Sequence, residues 1–494
     1  MNIADHAVSA GQSTALIVAD GPTVSYGELY ARSRRVAALL HRAGLRRGDG
    51  VALVLPNRPE FLEITWGCQL SGLYYSAINT HFTADEVAYV IDDSEAKAVF
   101  TDSGGELRID LGGEVRSYED ALADAGDPPP LSDGSEMLYS SGTTGRPKAV
   151  RRPLPEDGNG SWAQKVLEYG LTHRYGMTPG SVYLSPAPLY HAAGVNYTMA
   201  VQRVGAAAIV MPKFDAEAVL RLIETHRVTH AQFVPTMFVR MLKLPEAVRD
   251  SYDVSSLECV IHAAAPCPVD VKHRMMKWFG PIIHEYYGGT EGFAGTTIDP
   301  HEWLAHPGSV GKPFTAVHVV GDDGSECAVG ESGELYFEGG PAFEYFKDPK
   351  KTASVSNDQG WRSLGDMGYV DEDGYLYLTD RSTFMVVSGG VNIYPQEAEN
   401  LLVMHPKLVD AAVFGVPNQE FGEEVKAVVQ PAEGVAAGPE LEAELIAYCK
   451  AHLASYKCPR TVEFDSALPR DPNGKLYKRR IRERYWQGRS SRIV

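Results

Sequence analysis

Four times before residue 290, a stretch with apolar residues at helical spacing is followed, after a turn, by a short run rich in apolar residues. Residues 26–40 lead into 51–55, 86–92 into 98–100, 214–226 into 231–234, and 269–279 into 282–286. A strand that is apolar on both faces has to be covered on both, and a helix delivered between successive strands does the covering. The repeated unit therefore predicts mostly parallel sheets flanked by helices. In such sheets ligands bind beyond the carboxyl ends of the strands, so the loops there are where chemistry is expected. No segment recurs at a fixed period of the solenoid kind.

After Gly311 the texture changes to short strands at 317–320, 333–338 and 375–378, broken by Gly321-Asp322-Asp323-Gly324 and Asp371-Glu372-Asp373-Gly374. That pattern predicts a β-rich subdomain. A new start follows Asp380-Arg381-Ser382-Thr383, with helices expected at 396–404 and 440–452 around a strand at 411–415. A chain of 494 residues exceeds what one hydrophobic core organises. The expected fold is α/β: a large N-terminal domain over 1–381, of mostly parallel sheets with helices plus the β-rich subdomain, and a small mobile α+β C-terminal domain over 382–494.

The formal net charge of −18 argues against a nucleic-acid partner, which needs clustered basic residues. The exception is the tail from Lys475, where Lys478, Arg479, Arg480, Arg482 and Arg484 outweigh Glu483. A solvated helix end is expected there, with room left for peripheral membrane contact. Six scattered cysteines, without paired spacing or histidine companions, read as reduced packing residues. Neither a leader pattern at Met1-Asn2-Ile3-Ala4-Asp5-His6 nor a run of eighteen apolar residues is present in the sequence, so a soluble, cytoplasmic protein without a transmembrane segment is expected. A homodimer is compatible with all of this.

The most informative loop is Tyr139-Ser140-Ser141-Gly142-Thr143-Thr144-Gly145-Arg146-Pro147-Lys148. Its glycines let backbone N–H groups turn toward an anion, its hydroxyls donate to phosphate oxygens, and Lys148 adds positive charge. A Walker A loop is excluded, because two residues separate Gly142 from Gly145 and Ala149 follows Lys148. In Tyr287-Gly288-Gly289-Thr290-Glu291, Tyr287 offers an aromatic face, Thr290 a hydroxyl, and Glu291 a hard oxygen for magnesium. Alone, that segment would read as a plain turn with a helix cap.

These segments resemble the motifs of the adenylate-forming superfamily, which includes acyl-CoA synthetases, luciferases and peptide-synthetase adenylation domains. Trp361-Arg362-Ser363-Leu364-Gly365-Asp366 is similar to its ribose-binding segment, and Leu468-Pro469-Arg470-Asp471-Pro472-Asn473-Gly474-Lys475 to its C-terminal lysine loop. The four matches come in the family's order and span nearly the whole chain. The resemblance implies an ATP-dependent acid–thiol ligase that uses ATP, Mg2+ and coenzyme A to make an acyl-adenylate and then a thioester. It places Ser140, Ser141, Gly142, Thr143, Thr144, Gly145, Lys148, Ala263, Ala264, Ala265, Tyr286, Tyr287, Gly288, Asp366 and Arg381 around the nucleotide. Lys475, Thr290, Glu291 and His191 are implied to be catalytic, with Glu291 as the metal ligand. Lys475 would bridge the substrate carboxylate and the α-phosphate as charge builds.

In acyl-CoA synthetases a segment similar to Ser388-Gly389-Gly390 lines the pantetheine tunnel, so the small domain is expected to rotate between two half-reactions. Two features depart from the family. The hinge position is Thr383 instead of Asp or Lys, and the wall beside adenine is His262-Ala263-Ala264-Ala265-Pro266.

For the acyl chamber the resemblance points to His191, Val234, Gly288, Gly289 and Phe293. These are mainly apolar or small and offer no acidic group to an amino acid's ammonium, so a hydrophobic acid is expected. A medium or long fatty acid comes first, then a sterol side-chain or aromatic acid, with the hydrogen of Gly289 leaving an open floor toward Phe293. The alternatives are a luciferase-like oxygenase, a stand-alone enzyme loading a carrier protein, and a silent nucleotide-binding regulator.

Overall fold

The computed structural model describes residues 2–140, 147–155, 162–381, 384–388, 391–470 and 476–487. Among these, a nine-stranded sheet holds six parallel strands: Ile283–Gly288, Cys259–His262, His230–Phe233, Val182–Ser185, Ala207–Val210 and Thr14–Val18. A six-stranded sheet has Gly50–Val54 parallel to both Tyr74–Ala77 and Ala96–Ser103. Each expected helix–strand unit is present, with ends shifted by a few residues.

Local chemistry sets the helix starts. Ser25 caps Tyr26–Arg42 and Thr83 caps Ala84–Asp93, each in a reciprocal capping box with the glutamate three residues on. Helix Tyr26–Arg42 and its neighbour Pro59–Gln69 bury Val36, Leu40, Ile64 and Trp66 in one core, to which both large sheets contribute, Val51 and Leu53 from one and Leu16 and Val210 from the other. Trp66 is fully buried, and its indole N–H donates to Gln202 Oε1 at 2.6 Å.

The β-rich subdomain is a four-stranded sheet with its own core around Phe293, Leu335, Phe337 and Leu376. The small C-terminal domain pairs Leu408–Asn418 with Gly422–Pro431 and packs helices Gln396–Leu402 and Pro439–His452 against them. Its last helix, Lys478–Trp486, carries the basic tail, and each of its cations faces a carboxylate: Lys478–Glu399, Arg479–Glu483, Arg480–Glu86, Arg482–Glu423 and Arg484–Asp465. No helix among the described residues is long and apolar enough to cross a membrane.

Candidate active site

Four of the parallel strands, Val182–Ser185, His230–Phe233, Cys259–His262 and Ile283–Gly288, lie side by side. Their carboxyl ends therefore deliver His191, Val234, Ala263–Ala265 and Gly288–Glu291 to one edge of the sheet, where ligands of parallel sheets are bound. His191 begins helix Ala192–Val204, its ring 4.7 Å from that of Tyr190. Val234 begins helix Pro235–Leu242.

The β-rich subdomain closes on this edge. The Tyr287 hydroxyl donates to Asp366 Oδ2 at 2.6 Å, and Asp366 pairs across the strands with Arg381. Asp366 and Arg381, from one strand pair of the subdomain, are thus brought to the segment of Tyr287 and Gly288. Glu291 is 8% exposed, and its Oε1 accepts the Tyr345 hydroxyl at 2.6 Å. A carboxylate buried at the strand end and fixed through one oxygen is a hard ligand that suits magnesium carried by phosphates. Thr290 is half-buried beside it.

Ser140 and Lys148 face each other on two antiparallel strands, Leu138–Ser140 and Lys148–Arg151, and Lys148 is ion-paired with Asp348. Between them, Ser141, Gly142, Thr143, Thr144 and Gly145 lie outside the described residues, as do Thr383, Gly389, Gly390 and Lys475. Ser388 ends one arm of a hairpin with Val391, and Val387 and Val391 are exposed. The small domain meets the large one through Lys243 Nζ, which donates to the carbonyls of Val403 at 3.1 Å and Leu408 at 2.7 Å. Asn79 also donates to the Tyr477 hydroxyl, at 3.4 Å.

Three expectations need correction. Tyr286 does not share the face of Tyr287: side chains alternate along a strand, and its ring stacks instead on Tyr197 at 5.5 Å, on the far side from Asp366. Phe293, expected on the acyl chamber, is 3% exposed and stacks on Phe343 inside the subdomain core. Gly289 has no open floor, since a Cβ there would lie 2.6 Å from Glu291 Oε2 and 2.8 Å from Leu364 Cδ2. The space left by the missing side chain is taken by Glu291 and Leu364. In the Ala263–Ala265 wall, Ala264 has φ +75°, a strained conformation for an alanine.

Sequence reading missed a second layer. Arg152 joins Glu136 at 3.0 Å and the Thr290 carbonyl at 2.5 Å. Beneath the Ala263–Ala265 wall, Lys272 Nζ meets Glu285 Oε2 at 2.6 Å with His262 Nε2 at 3.3 Å, all three buried. Burial alone would push the Glu285 carboxyl up, but His262 and Lys272 outweigh it and hold it at about 2.

The family of AMP-binding enzymes matches residues 3–344, and the AMP-binding enzyme C-terminal domain matches 397–475. The chain belongs to the AMP-binding enzymes. It is 34% identical to a feruloyl-CoA synthase of Amycolatopsis sp, over 94% of each chain. It is 32% identical to the long-chain-fatty-acid–CoA ligase FadD13 of Mycobacterium tuberculosis, over 94% of this chain and 93% of that one. Among solved structures, ATP-bound MatB from Rhodopseudomonas palustris superposes with a TM-score of 0.82 at 29% identity, over 99% of each chain. The o-succinylbenzoate CoA synthetase MenE of Bacillus subtilis, with its acyl-adenylate, gives 0.80 at 27% identity, over 99% and 98%. This AMP-binding enzyme is an AMP-forming acid–CoA ligase that uses ATP, Mg2+ and coenzyme A.

Proposed function

We propose that the acid is compact and aromatic, and that it is joined to coenzyme A in two steps at the strand ends. In the first, the carboxylate attacks the α-phosphorus in line and pyrophosphate leaves. Tyr287 stacks on adenine, Asp366 and Arg381 hold the ribose, Thr290 and the 140–148 segment hold phosphate oxygens, and Glu291 binds the ATP-borne magnesium, which neutralises charge there. Lys475 supplies the remaining positive charge. In the second step the small domain turns about residues 381–383 and brings Gly389 and Gly390 beside the pantetheine arm. The thiol then attacks the acyl carbonyl and AMP leaves.

The observation that carries the choice of acid is the ring cluster formed between helix Ala192–Val204, which His191 begins, and the strands Val182–Ser185, His230–Phe233 and Ile283–Gly288. Tyr197 and Tyr286 are stacked, the amide of Gln232 donates to the Tyr286 hydroxyl at 3.1 Å, and the Tyr183 hydroxyl donates to Gln232 Oε1 at 2.8 Å. A long alkyl tail entering there would have to displace the half-buried, hydrogen-bonded phenol of Tyr286 from the buried Tyr197, leaving polar groups without partners. A flat ring can lie against the stack. Likeness to a feruloyl-CoA synthase supports this reading. The FadD13 likeness supports a second one, a medium or long fatty acid. Tyr286→Ala separates them: under the first reading it extends activity toward longer acids that the parent enzyme turns over poorly, and under the second it leaves the preference unchanged.

A further inference from the structure

We propose that Arg152 is a positioning residue that locks the magnesium-binding turn to the phosphate-binding strand pair; this rests on the assignment of Thr290 and Glu291 above. Arg152 directly follows strand Lys148–Arg151, whose partner Leu138–Ser140 runs into the phosphate segment. Its side chain is 13% exposed. One end of the guanidinium meets the buried Glu136 at 3.0 Å, and the other donates to the Thr290 carbonyl at 2.5 Å. A charged donor on a main-chain carbonyl is a strong, directional tie, and a planar fork can serve both partners where an ammonium cannot.

Two further observations fit. Gly292 has φ +75°, and a Cβ there would lie 2.8 Å from Arg152 Nη2, so the turn leaves space for the guanidinium. On the same strand, Val150 is paired with Tyr345, whose hydroxyl holds Glu291. The turn between Gly289 and Gly292 is thus gripped by its main chain through Arg152 and by its carboxylate through Tyr345, both from the sheet that carries Lys148. Without this brace a turn bounded by glycines would let Glu291 wander from the position magnesium needs.

The test is carboxylate-dependent ATP–pyrophosphate exchange as a function of free magnesium, in Arg152→Gln, Arg152→Lys and Glu136→Gln, with Glu291→Gln as control. Arg152→Gln should raise the magnesium concentration for half-maximal exchange about ten-fold. Arg152→Lys and Glu136→Gln should raise it less, and thioester formation from supplied acyl-adenylate should stay near the parent rate. Should Arg152→Gln not fold, the smaller rise in the other two variants carries the test. A magnesium midpoint that does not move, with exchange falling only in step with thermal stability, overturns the proposal. If Glu291→Gln itself leaves the magnesium response unchanged, the metal assignment falls and the proposal with it; a response in Glu291→Gln without one in the Arg152 variants overturns the proposal alone.

Discussion

Replacing Gly289 with alanine should damage adenylation equally for every acid. The added Cβ would stand 2.6 Å from Glu291 Oε2 and 2.8 Å from Leu364 Cδ2. Favourable contacts of carbon begin near ~3.5 Å, so the carboxylate has to retreat by about 1 Å. Leu364 blocks the opposite escape of the methyl group, because it packs against the core of the β-rich subdomain. A misplacement of about 1 Å at a reacting centre costs about 100-fold, equivalent to ~2.7 kcal/mol in the barrier. The assay is carboxylate-dependent ATP–pyrophosphate exchange with acids of increasing size, reported as kcat/KM. Losses that grow with the size of the acid would place Gly289 on the acyl chamber and refute this reasoning, and so would an undiminished rate.

Ala264→Gly should stabilise the protein by about 0.5–1 kcal/mol in denaturant unfolding, because φ +75° strains an alanine but not a glycine. Lys272→Met should cost about 3–5 kcal/mol, since it leaves Glu285 buried without its closest cation. Glu285 is held at about 2, below its ordinary 4.5, so its contribution is complete above 4.5 and is lost as pH falls toward 2. Acid titration of stability should show that decline, and Glu285→Gln should flatten it. Lys475→Ala should lower adenylation about 100- to 1,000-fold while sparing thioester formation from supplied acyl-adenylate, measured as two separate half-reactions.

The alternation of helix and strand was legible because apolar periodicity is a local signal. The four strand ends could therefore be located, and with them the edge where Val234, Ala263 and Gly288 now stand. Tyr286 was misread although the signal existed: a period of two sets it on the opposite face from Tyr287, and adjacency to a motif is not adjacency in space. Phe293 and Gly289 failed for a different reason. Their surroundings, Phe343 and Leu364, come from parts of the β-rich subdomain fifty or more residues away, and nothing near residue 290 announces which ring or methyl will be folded against it. Arg152 and Glu136 share that limit. Each looks like a surface charge in the sequence, and only the approach of Thr290, 138 residues beyond Arg152, makes the pair a brace.

The central claim is that this ligase makes a compact aromatic acid into its coenzyme A thioester by way of an adenylate. The direct test is AMP release by the parent enzyme with ATP and magnesium, with and without coenzyme A, across a substituted benzoate, a cinnamate, octanoate and hexadecanoate. The account predicts AMP release that needs both coenzyme A and acid, with kcat/KM for an aromatic acid at least about ten-fold above that for hexadecanoate, a difference of ~1.4 kcal/mol at the transition state. Hexadecanoate as the best substrate would contradict the reading of the Tyr197–Tyr286 stack, and AMP release indifferent to coenzyme A would contradict the assignment of the second step.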